Sequence, residues 1–562
     1  MSRPRTLNWL DAPRDDTGVE MFDEASHTYR PYTELADAAG RIAGGLIARG
    51  VPRGAVVPLL CSTGPDLVAA FYGVQAAGCV VSVLAPPTRM SGEAARAHVR
   101  AVVTAVDAGA VVADAAHHDY AVDVLAGTGT GTGTGSGSGA RVLLLEELAA
   151  AEAGRRDPVE QALVQFTSGS SGRPRGVRVS HAALDANTAA IRAWERAGRD
   201  DSWCSWLPMH HDMGLIGCLV VPVSGNNRLA VCRPETFLRH PLVYLTRFDA
   251  KRVERPATIT ATPAFGLKRI VDKVGHADLE GADLSRTRAV IVGAERIDPA
   301  LVTRFTELMR PHGLDPHTLT PAYGLAESTL AVTGVPVEEE PRSVLVHRDE
   351  LRVGAQVSLA DGRTDRATVQ VMSCGRALDG LTVRVVGEDG EPLPEGHVGE
   401  LAVTGSSLAD GYLTDGSAEG TAFAGGRLLT RDVAFELAGE FYVLGRLGDS
   451  VKVHARSLFA EDVELMLGRA GLDLSRVCVV LGEADGQPHA VAVLEGLDTR
   501  AAKVAEEVLA AACPGTRRHV AQVPRGAIPR TSSGKSRRRR LWQRLSQERA
   551  LDAVSAAADS PA

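Results

Sequence analysis

The segment Phe166–Gly176, FTSGSSGRPRG, combines residue types that bind an anion through the backbone. Glycines let neighbouring N–H groups converge on a phosphate, and hydroxyl side chains add donors. The candidate donors are Thr167, Ser168, Gly169, Ser170, Ser171 and Gly172, and Arg175 adds positive charge. The spacing GxxxxGK[ST] is absent because Pro174 stands five residues after Gly169, and GxGxxG is absent too. On composition alone, both a phosphate-binding loop and an ordinary polar surface loop remain open.

Four later segments, taken with the first, resemble the ordered motifs of the adenylate-forming superfamily. This superfamily includes acyl-CoA synthetases, peptide-synthetase adenylation domains and luciferases. The four segments are VGAERI (292–297), PAYGLAEST (321–329), LLTRDVAF (428–435) and IPRTSSGKSRRR (528–539). Any one of these motifs alone could be structural, for example a glutamate with a hydrogen-bond partner or a surface lysine. All five in this order are highly specific for the superfamily.

The resemblance implies a nucleotide site and ATP as a cofactor. Gly293, Ala294 and Glu295 correspond to the strand-end loop that lines the adenine in the superfamily. Tyr323 corresponds to the tyrosine that stacks on adenine, and Gly324 follows it. These assignments are expectations from the resemblance.

The same resemblance implies the reacting groups and Mg²⁺ as the metal. Glu327 would hold magnesium, and Asp432 would take the ribose hydroxyls. Arg446 would contact ribose or phosphate, and Lys535 would bridge the carboxylate and the α-phosphate during adenylation. Arg175 stands where the family has lysine, so the charge is kept but the guanidinium geometry differs from a point charge.

WLPMHHDMGLIG (206–217) resembles the corresponding motif of fatty acyl-AMP ligases. The resemblance places His211 at the mouth of the acid pocket, near the carboxylate and the magnesium. The condensation motif HHxxxDG is excluded because Leu215 stands where it requires aspartate. Adjacent histidines on a strand point apart, which disfavours a shared metal. An ordinary loop histidine remains an alternative for His211.

An insertion at about 336–372 also resembles these ligases, where it restrains the C-terminal domain and separates acyl-AMP ligases from CoA ligases. The hinge region 445–464 departs from the family, although Asp449 remains as the expected hinge. Gly448 replaces lysine, and Ala455 replaces a glycine near the thiol tunnel. These departures leave open whether the second half-reaction forms a thioester.

TATPAF (260–265) departs from GGPNF in the acid pocket, which leaves the acid's chain length open.

Alternating helical and strand patterns predict the elements that position these residues. The βα rhythm before the insertion indicates doubly wound sheets, and short strands with acidic glycine turns follow it. We therefore expect an α/β protein with a large N-terminal domain (1–445) of two doubly wound subdomains plus a β-rich subdomain (about 373–445). A small mobile α+β C-terminal lid (446–549) follows. The Gly/Thr repeat at 127–139 is predicted to be a flexible loop and 550–562 a disordered tail.

Composition excludes several classes of protein. The 562 residues carry a net charge of −8, which argues against general nucleic-acid binding. Eight scattered cysteines without a CxxC pair indicate buried reduced thiols rather than a zinc site. The N-terminus lacks the apolar core of a signal peptide, and no run approaches 18 apolar residues, so we expect a cytoplasmic protein without a membrane span. The basic run 537–545 fits a solvated helix, with a contact to an acidic carrier protein or to nucleic acid as alternatives.

The sequence therefore predicts an ATP-dependent ligase that activates a carboxylic acid, with a fatty acid favoured. A separate acyl carrier protein is the expected acceptor, since the tail lacks the serine motif for pantetheine attachment. Capture of a small activated acid by an amine, a CoA ligase, and a nucleotide-binding scaffold without activity remain alternatives.

Overall fold

The computed structural model describes residues 3–87, 92–126, 140–167, 175–362, 367–413, 421–453, 456–530 and 535–547. Several sequence predictions fall outside these residues: Ser168 to Gly172 of the glycine-rich loop, the repeat 127–139, Ala455 and the tail 550–562.

The strands, in chain order, are β1 (Gly18–Phe22), β2 (His27–Pro31), β3 (Val56–Leu60), β4 (Val80–Val83), β5 (Ala110–Ala113), β6 (Arg141–Leu144), β7 (Gln161–Thr167), β8 (Arg175–Ser180), β9 (Ser202–Ser205), β10 (Arg228–Val231), β11 (Ile259–Pro263), β12 (Ala289–Gly293), β13 (Leu319–Gly324), β14 (Ala331–Gly334), β15 (Ser343–His347), β16 (Thr368–Met372), β17 (Arg376–Ala377), β18 (Leu381–Val386), β19 (Gly399–Gly405), β20 (Ala422–Ala424), β21 (Arg427–Leu437), β22 (Glu440–Arg446), β23 (Ser450–Val453), β24 (Arg456–Phe459), β25 (Val477–Ala484), β26 (Gln487–Glu495) and β27 (Arg517–Val523).

The α-helices are α1 (Tyr32–Ala48), α2 (Pro65–Ala76), α3 (Gly92–Ala105), α4 (His118–Ala126), α5 (Leu145–Ala149), α6 (His181–Trp194), α7 (Val221–Ser224), α8 (Pro234–Arg239), α9 (Pro241–Leu245), α10 (Ala264–Lys273), α11 (Pro299–Met309), α12 (Ala460–Arg469), α13 (Thr499–Ala512) and α14 (Arg538–Gln547). A π-helix spans Met213–Val220, and short 3₁₀ turns occur between elements.

Side-chain caps begin two helices of the large α/β region. Ser180 Oγ accepts the Ala183 N–H at 3.3 Å at the start of α6. Asp298 Oδ1 accepts the Ala300 N–H at 3.1 Å at the start of α11, where Pro299 occupies the first turn. Such side chains satisfy backbone donors that have no partner inside the helix, which fixes where the helix begins.

The earlier part of the chain forms a six-stranded sheet in the order β6-β5-β3-β4-β7-β8. Strands β6 to β7 run parallel, and β8 returns antiparallel to β7. β3, β4 and β5 consist mainly of buried Val, Leu and Ala, which is typical of parallel strands covered on both faces. The β7–β8 hairpin therefore flanks the glycine-rich segment.

A nine-stranded sheet has the order β17-β14-β13-β12-β11-β9-β10-β1-β2. Its six central strands, β13 to β1, are parallel, and the edge strands β2, β14 and β17 are antiparallel. With the six-stranded sheet and its helices, this arrangement confirms the predicted α/β class. In open sheets of this kind, ligands bind outside the carboxyl ends of the parallel strands.

Short antiparallel strands follow the nine-stranded sheet along the chain. β18-β19-β21-β20 form one sheet, and β22 joins it through β21. The insertion contributes the β15–β16 hairpin, whose Val346, Val369 and Val371 share a buried cluster with Phe435 and Tyr442. The described part of the insertion is therefore packed against the β-rich sheet.

The residues after Arg446 build a separate three-stranded sheet, β25-β26-β27, and the small β23–β24 hairpin. Alternate residues of β25 face opposite sides, as strand geometry requires. Val479 and Leu481 pack in a core with residues of α12 and α13, whereas Cys478 and Val480 pack with Leu541 of α14. This sheet is thus covered on both faces by its own helices.

All eight cysteines are free and buried, which confirms the predicted buried thiols. Within the described ranges, no helix has the length and apolar character needed to cross a membrane.

Candidate active site

Four neighbouring strands of the nine-stranded sheet deliver the candidate residues to one edge. β9 leads to His211, β11 ends at Pro263, β12 ends at Gly293 and β13 ends at Gly324. Because these strands are parallel, their carboxyl ends meet at the same edge of the sheet. The topology alone therefore gathers segments that are far apart in the sequence.

Lys535 lies at this edge together with His211, Asp212 and Glu295. We call these four residues the lysine cluster. The Lys535 Nζ donates to the Ala294 carbonyl oxygen at 2.6 Å. Ala294 has a φ of 67°, a left-handed conformation that turns the chain directly after β12. The C-terminal part of the chain thus reaches the loop that follows β12.

The pKa values of the two carboxyl groups in the lysine cluster are shifted in opposite directions. Burial raises the pKa of Glu295, although the Phe265 N–H, which Oε1 accepts at 2.5 Å, and the Lys535 charge oppose this. Burial also acts to raise the pKa of Asp212, but His211 and Lys535 outweigh it, and the net shift is downward. Asp212 is therefore the more firmly ionised partner of the lysine.

The Lys535 residue is exposed to solvent as a whole, while its Nζ lies against the protein at the Ala294 carbonyl oxygen. Desolvation by the surrounding protein lowers its pKa, and the charges of Asp212 and Glu295 oppose the shift. Because unlike charges attract, the Lys535 ammonium can bind the more highly charged phosphate of a ligand that arrives beside the two acidic groups.

His211 lies in the turn before the π-helix. Its Nδ1 is 2.6 Å from Asp212 Oδ1, and Asp212 accepts the Met213 N–H at 2.8 Å at the start of the π-helix. The expectation that His210 and His211 lie on a strand is wrong, because Pro208 and the following residues form a turn with the His211 N–H bonded to the Pro208 carbonyl at 3.1 Å. π-Helices often occur at functional sites.

Tyr323, Asp432 and Arg446 form a second group, the tyrosine cluster. The Tyr323 hydroxyl donates to Asp432 Oδ2 at 2.6 Å, and Arg446 Nε donates to Asp432 Oδ1 at 2.9 Å. Asp432 and Arg446 are paired in register on β21 and β22. Asp432 raises the pKa of Arg446, and burial together with Asp432 raises that of Tyr323, so a protonated donor faces each carboxylate oxygen.

Glu327 lies on a short 3₁₀ turn after β13 and is 7% exposed. Its Oε1 accepts the Tyr412 hydroxyl at 2.5 Å, and its other oxygen makes no hydrogen bond within the described residues. Gly324 is required just before it, because a Cβ there would lie 2.0 Å from the Leu330 carbonyl oxygen. The sharp turn that presents Glu327 therefore depends on a missing side chain.

Thr167 and Arg175 stand opposite each other as the last pair of the β7–β8 hairpin before the connecting segment 168–174. The Arg175 guanidinium lies over the Tyr412 ring, with its carbon 3.8 Å from the ring centroid. Arg175 thus approaches the Glu327 turn through Tyr412.

Asp449 lies in a partly buried ion-pair group centred on Arg538. Arg538 contacts Asp449 at 3.1 Å and both Glu461 and Glu464 at 2.6 Å. The first turn of α14 is thereby tied to the predicted hinge and to α12. This first turn directly follows Lys535 and Ser536, so the position of the lysine depends on these ion pairs.

Two residues of this region were not predicted as site residues. Asp212 could have been suspected as the capping residue of the apolar run MGLIGCLV. Tyr412 carries no local signal, because its link to Glu327 joins positions far apart in the chain.

The donor set fits one magnesium bound together with a nucleotide. Glu327 has one oxygen fixed by Tyr412 and one left open, and Mg²⁺ is typically held by one or two carboxylates plus substrate phosphates. The described residues contain no group of three or more His, Cys, Asp or Glu side chains arranged as a metal site. The chain could therefore hold Mg²⁺ through Glu327 with most of the ligands coming from phosphate and water.

Comparisons with known proteins agree with this geometry. Residues 11–413 match the model of the AMP-binding enzyme family. A long-chain-fatty-acid–AMP ligase of Mycobacterium marinum is 30% identical over 567 residues, covering 95% of this chain and 93% of that protein. A Caulobacter vibrioides protein with the provisional name of acyl-CoA synthetase is 30% identical over 546 residues, covering 95% and 93%.

A solved structure shows the same fold across almost the whole chain. It comes from a study of fatty acyl-adenylate ligases from E. coli and L. pneumophila, with 26% identity and a TM-score of 0.85 over 97% of this chain and 98% of that one. The predicted membership in the adenylate-forming superfamily is confirmed: this chain belongs to the AMP-binding enzyme family.

Proposed function

We propose that this protein activates a carboxylic acid, with a fatty acid favoured, as an acyl-adenylate and then transfers the acyl group to the pantetheine thiol of a separate carrier protein. The observation that carries the proposal is the position of Lys535, whose Nζ reaches Ala294 at 2.6 Å beside Asp212 and Glu295. A cation at the carboxyl ends of these strands can stabilise the negative charge that develops when a carboxylate attacks a phosphate.

In the first step, a carboxylate oxygen of the acid attacks the α-phosphorus of ATP, and the bond to the bridging oxygen breaks to release pyrophosphate. No covalent bond to the protein forms, so positioning and electrostatic stabilisation supply the catalysis. Lys535 neutralises charge that develops on the α-phosphate and the acid. Magnesium, when bound at Glu327, would neutralise charge on the phosphates.

The remaining assignments give each cluster a role on the nucleotide. Tyr323 stacks on adenine beside the backbone of Gly293 to Glu295, and Asp432 and Arg446 contact the ribose. A carboxylate oxygen can accept two hydrogen bonds, so Asp432 can bind a ribose hydroxyl without releasing Tyr323 or Arg446. The segment 168–172, with Thr167 and Arg175, contacts the phosphates. His211 faces the carboxylate of the acid.

The second step is the attack of a thiol on the mixed anhydride, which forms a thioester and releases AMP. We propose that residues 446–549 act as a lid that turns about Asp449 between the two steps. The packing of the insertion beside the lid supports a carrier-protein acceptor: Val346 and Val371 of the insertion share a buried cluster with Phe459, which lies beyond the hinge. This contact would restrain the lid from the position needed for CoA. The name of the Mycobacterium marinum relative, a long-chain-fatty-acid–AMP ligase, supports a fatty acid as the substrate.

The test is pyrophosphate release with a panel of acids from short carboxylates to long fatty acids, with mass detection of the adenylate and no thiol present. We expect the greatest rate with fatty acids, followed by acyl transfer to a phosphopantetheinylated carrier protein. Transfer to free CoA at an equal rate would instead identify a CoA ligase. Turnover confined to a small acid in the presence of an amine would favour amine capture.

A further inference from the structure

We propose that Tyr412 is a positioning residue that fixes the orientation of Glu327 for the metal–nucleotide complex and joins it to Arg175 of the phosphate-binding hairpin. This inference rests on the proposed function, since it assigns a partner to the carboxylate that would hold magnesium.

The Tyr412 hydroxyl holds one oxygen of Glu327. It donates to Glu327 Oε1 at 2.5 Å and lies 3.3 Å from the Thr421 carbonyl oxygen. The phenol is the donor in this bond, because an ionised carboxylate oxygen can only accept. With Oε1 occupied, Oε2, which makes no hydrogen bond to any residue that the structure describes, is left as the ligand oxygen.

The ring of the same tyrosine carries the cation of the hairpin. The Arg175 guanidinium carbon lies 3.8 Å from the centroid of the Tyr412 ring, within the range of cation–π attraction. Phe423 meets the ring edge-on at 5.7 Å between centroids. The tyrosine therefore has its ring on Arg175 and its hydroxyl on Glu327, which places a positive and a negative group at fixed positions around one side chain.

The backbone on either side of Tyr412 ties the two regions together. The Ala409 N–H donates to the Glu327 carbonyl at 3.0 Å, and the Leu413 N–H donates to the Gly176 carbonyl at 2.8 Å. Between them, the Arg178 N–H donates to the Gly411 carbonyl at 2.9 Å. Residues 409–413 thus run along β8 as a strut from the Glu327 turn to the hairpin.

The strut also explains why glycine occupies position 176. A Cβ on Gly176 would lie 2.4 Å from Leu413 Cδ1 and 3.0 Å from Val164 Cγ1. The hairpin and the strut are therefore in direct contact, and a displaced tyrosine would move both. Residues that orient metal ligands through hydrogen bonds typically change metal affinity or activity about 10- to 100-fold when replaced.

The test uses Tyr412→Phe, which keeps the ring under Arg175 and removes the hydroxyl from Glu327. Calorimetric titration measures the Kd of ATP with Mg²⁺ and with EDTA, in the absence of acid, so the readout does not depend on turnover. We expect Mg²⁺ to tighten ATP binding to the wild type and expect Tyr412→Phe to reduce this gain about tenfold. The Kd of metal-free ATP should stay unchanged.

Tyr120→Phe is the matched control, because Arg96 lies over the Tyr120 ring at 5.7 Å and the substitution deletes the same atom away from Glu327. It should keep the wild-type gain. An unchanged gain in Tyr412→Phe would overturn the proposal, as would an equal loss of metal-free ATP binding, which would mean a displaced hairpin. A wild type without any gain from Mg²⁺ would instead refute the metal role of Glu327 in the proposed function, and this inference with it.

A double-mutant cycle separates positioning from packing. If Tyr412 acts through Glu327, then Tyr412→Phe should have no further effect on the magnesium gain in a Glu327→Gln background. Additive losses in the double variant would show that the tyrosine acts elsewhere and would overturn the proposal. Thermal melting of each variant checks that the fold is retained.

Discussion

The tyrosine cluster and the lysine cluster are close enough for the charges of Asp432 and Arg446 to act on Lys535, but the protein holds the two clusters in different ways. Asp432 uses both carboxylate oxygens on Tyr323 and Arg446, and Tyr323, Asp432 and Arg446 lie on β13, β21 and β22. Lys535 comes from the C-terminal part of the chain. Its Nζ donates to the Ala294 carbonyl oxygen, and the charges of Asp212 and Glu295 act on it. The tyrosine cluster is therefore preformed, whereas the lysine cluster is complete only when the C-terminal part of the chain is in place.

This difference separates binding from chemistry. A preformed network costs little reorganisation when a ligand arrives, which suits recognition of the nucleotide. In the proposed mechanism the lid delivers Lys535, so this cation acts only in the closed arrangement, which suits a group needed in one step of a reaction sequence. We therefore expect substitutions in the two clusters to affect different kinetic constants.

The largest effect is expected for Lys535→Ala, which removes the cation of the lysine cluster. Pyrophosphate release should fall about 10²- to 10³-fold, as for loss of one preorganised electrostatic group. The Kd of ATP and the melting temperature should change little, because the tyrosine cluster is intact. Lys503→Ala, at an exposed position of α13, serves as the control and should retain full activity. Near-normal release by Lys535→Ala would refute the assignment.

Asp432→Asn tests the preformed cluster. It removes the charge that accepts hydrogen bonds from Tyr323 and Arg446, and such bonds contribute about 1.5–3 kcal/mol, or about 10- to 100-fold in ATP affinity. The KM for ATP should rise more than kcat falls. Glu436→Gln on the same strand is the control. A drop in kcat with an unchanged KM would contradict the division of roles between the two clusters.

Glu195 tests whether a buried carboxyl group of the core, rather than either cluster, makes the stability of the fold depend on pH. Burial raises its pKa from 4.5 to about 8, with Arg192 opposing. Since the folded-state value is the higher one, folding favours the protonated form, and stability is lost as pH rises from about 4.5 to about 8.

Glu195→Gln should therefore gain stability over the wild type across that pH window, by at most about 1.4 kcal/mol per pH unit. Denaturant unfolding of both proteins at several pH values measures the difference. A difference that is constant with pH would show that Glu195 is not the titrating group.

The smallest effect is expected for Arg175→Lys, which restores the family residue. The charge is kept but the planar stack on Tyr412 is lost, and an exposed cation–π contact contributes about 0.5–1 kcal/mol, or about two- to fivefold in ATP affinity. The Kd of ATP measures it, with Arg96→Lys above Tyr120 as the control. A loss as large as that of Asp432→Asn would place Arg175 among the principal binding groups.

Local signals predicted the local structure well. Ser180 and Asp298 cap α6 and α11, as serine and aspartate before a helical pattern predict, because capping depends on a few consecutive residues. The strand assignment for His210 and His211 is wrong, because Pro208 and the capping of the π-helix by Asp212 turn the chain there. Short polar segments of this kind carry no periodicity that would separate a strand from a turn.

The sequence by itself determined the family, through five motifs in a fixed order, and with it the α/β class and the candidate residues. Only the tertiary structure decided which of these residues meet. The contact of Lys535 with Ala294 and the hydrogen bonds of Tyr412 to Glu327 and of Tyr323 to Asp432 all join distant parts of the chain. Such pairs depend on how parallel strands order themselves in a sheet and on where the C-terminal part docks, and neither is encoded in any single segment.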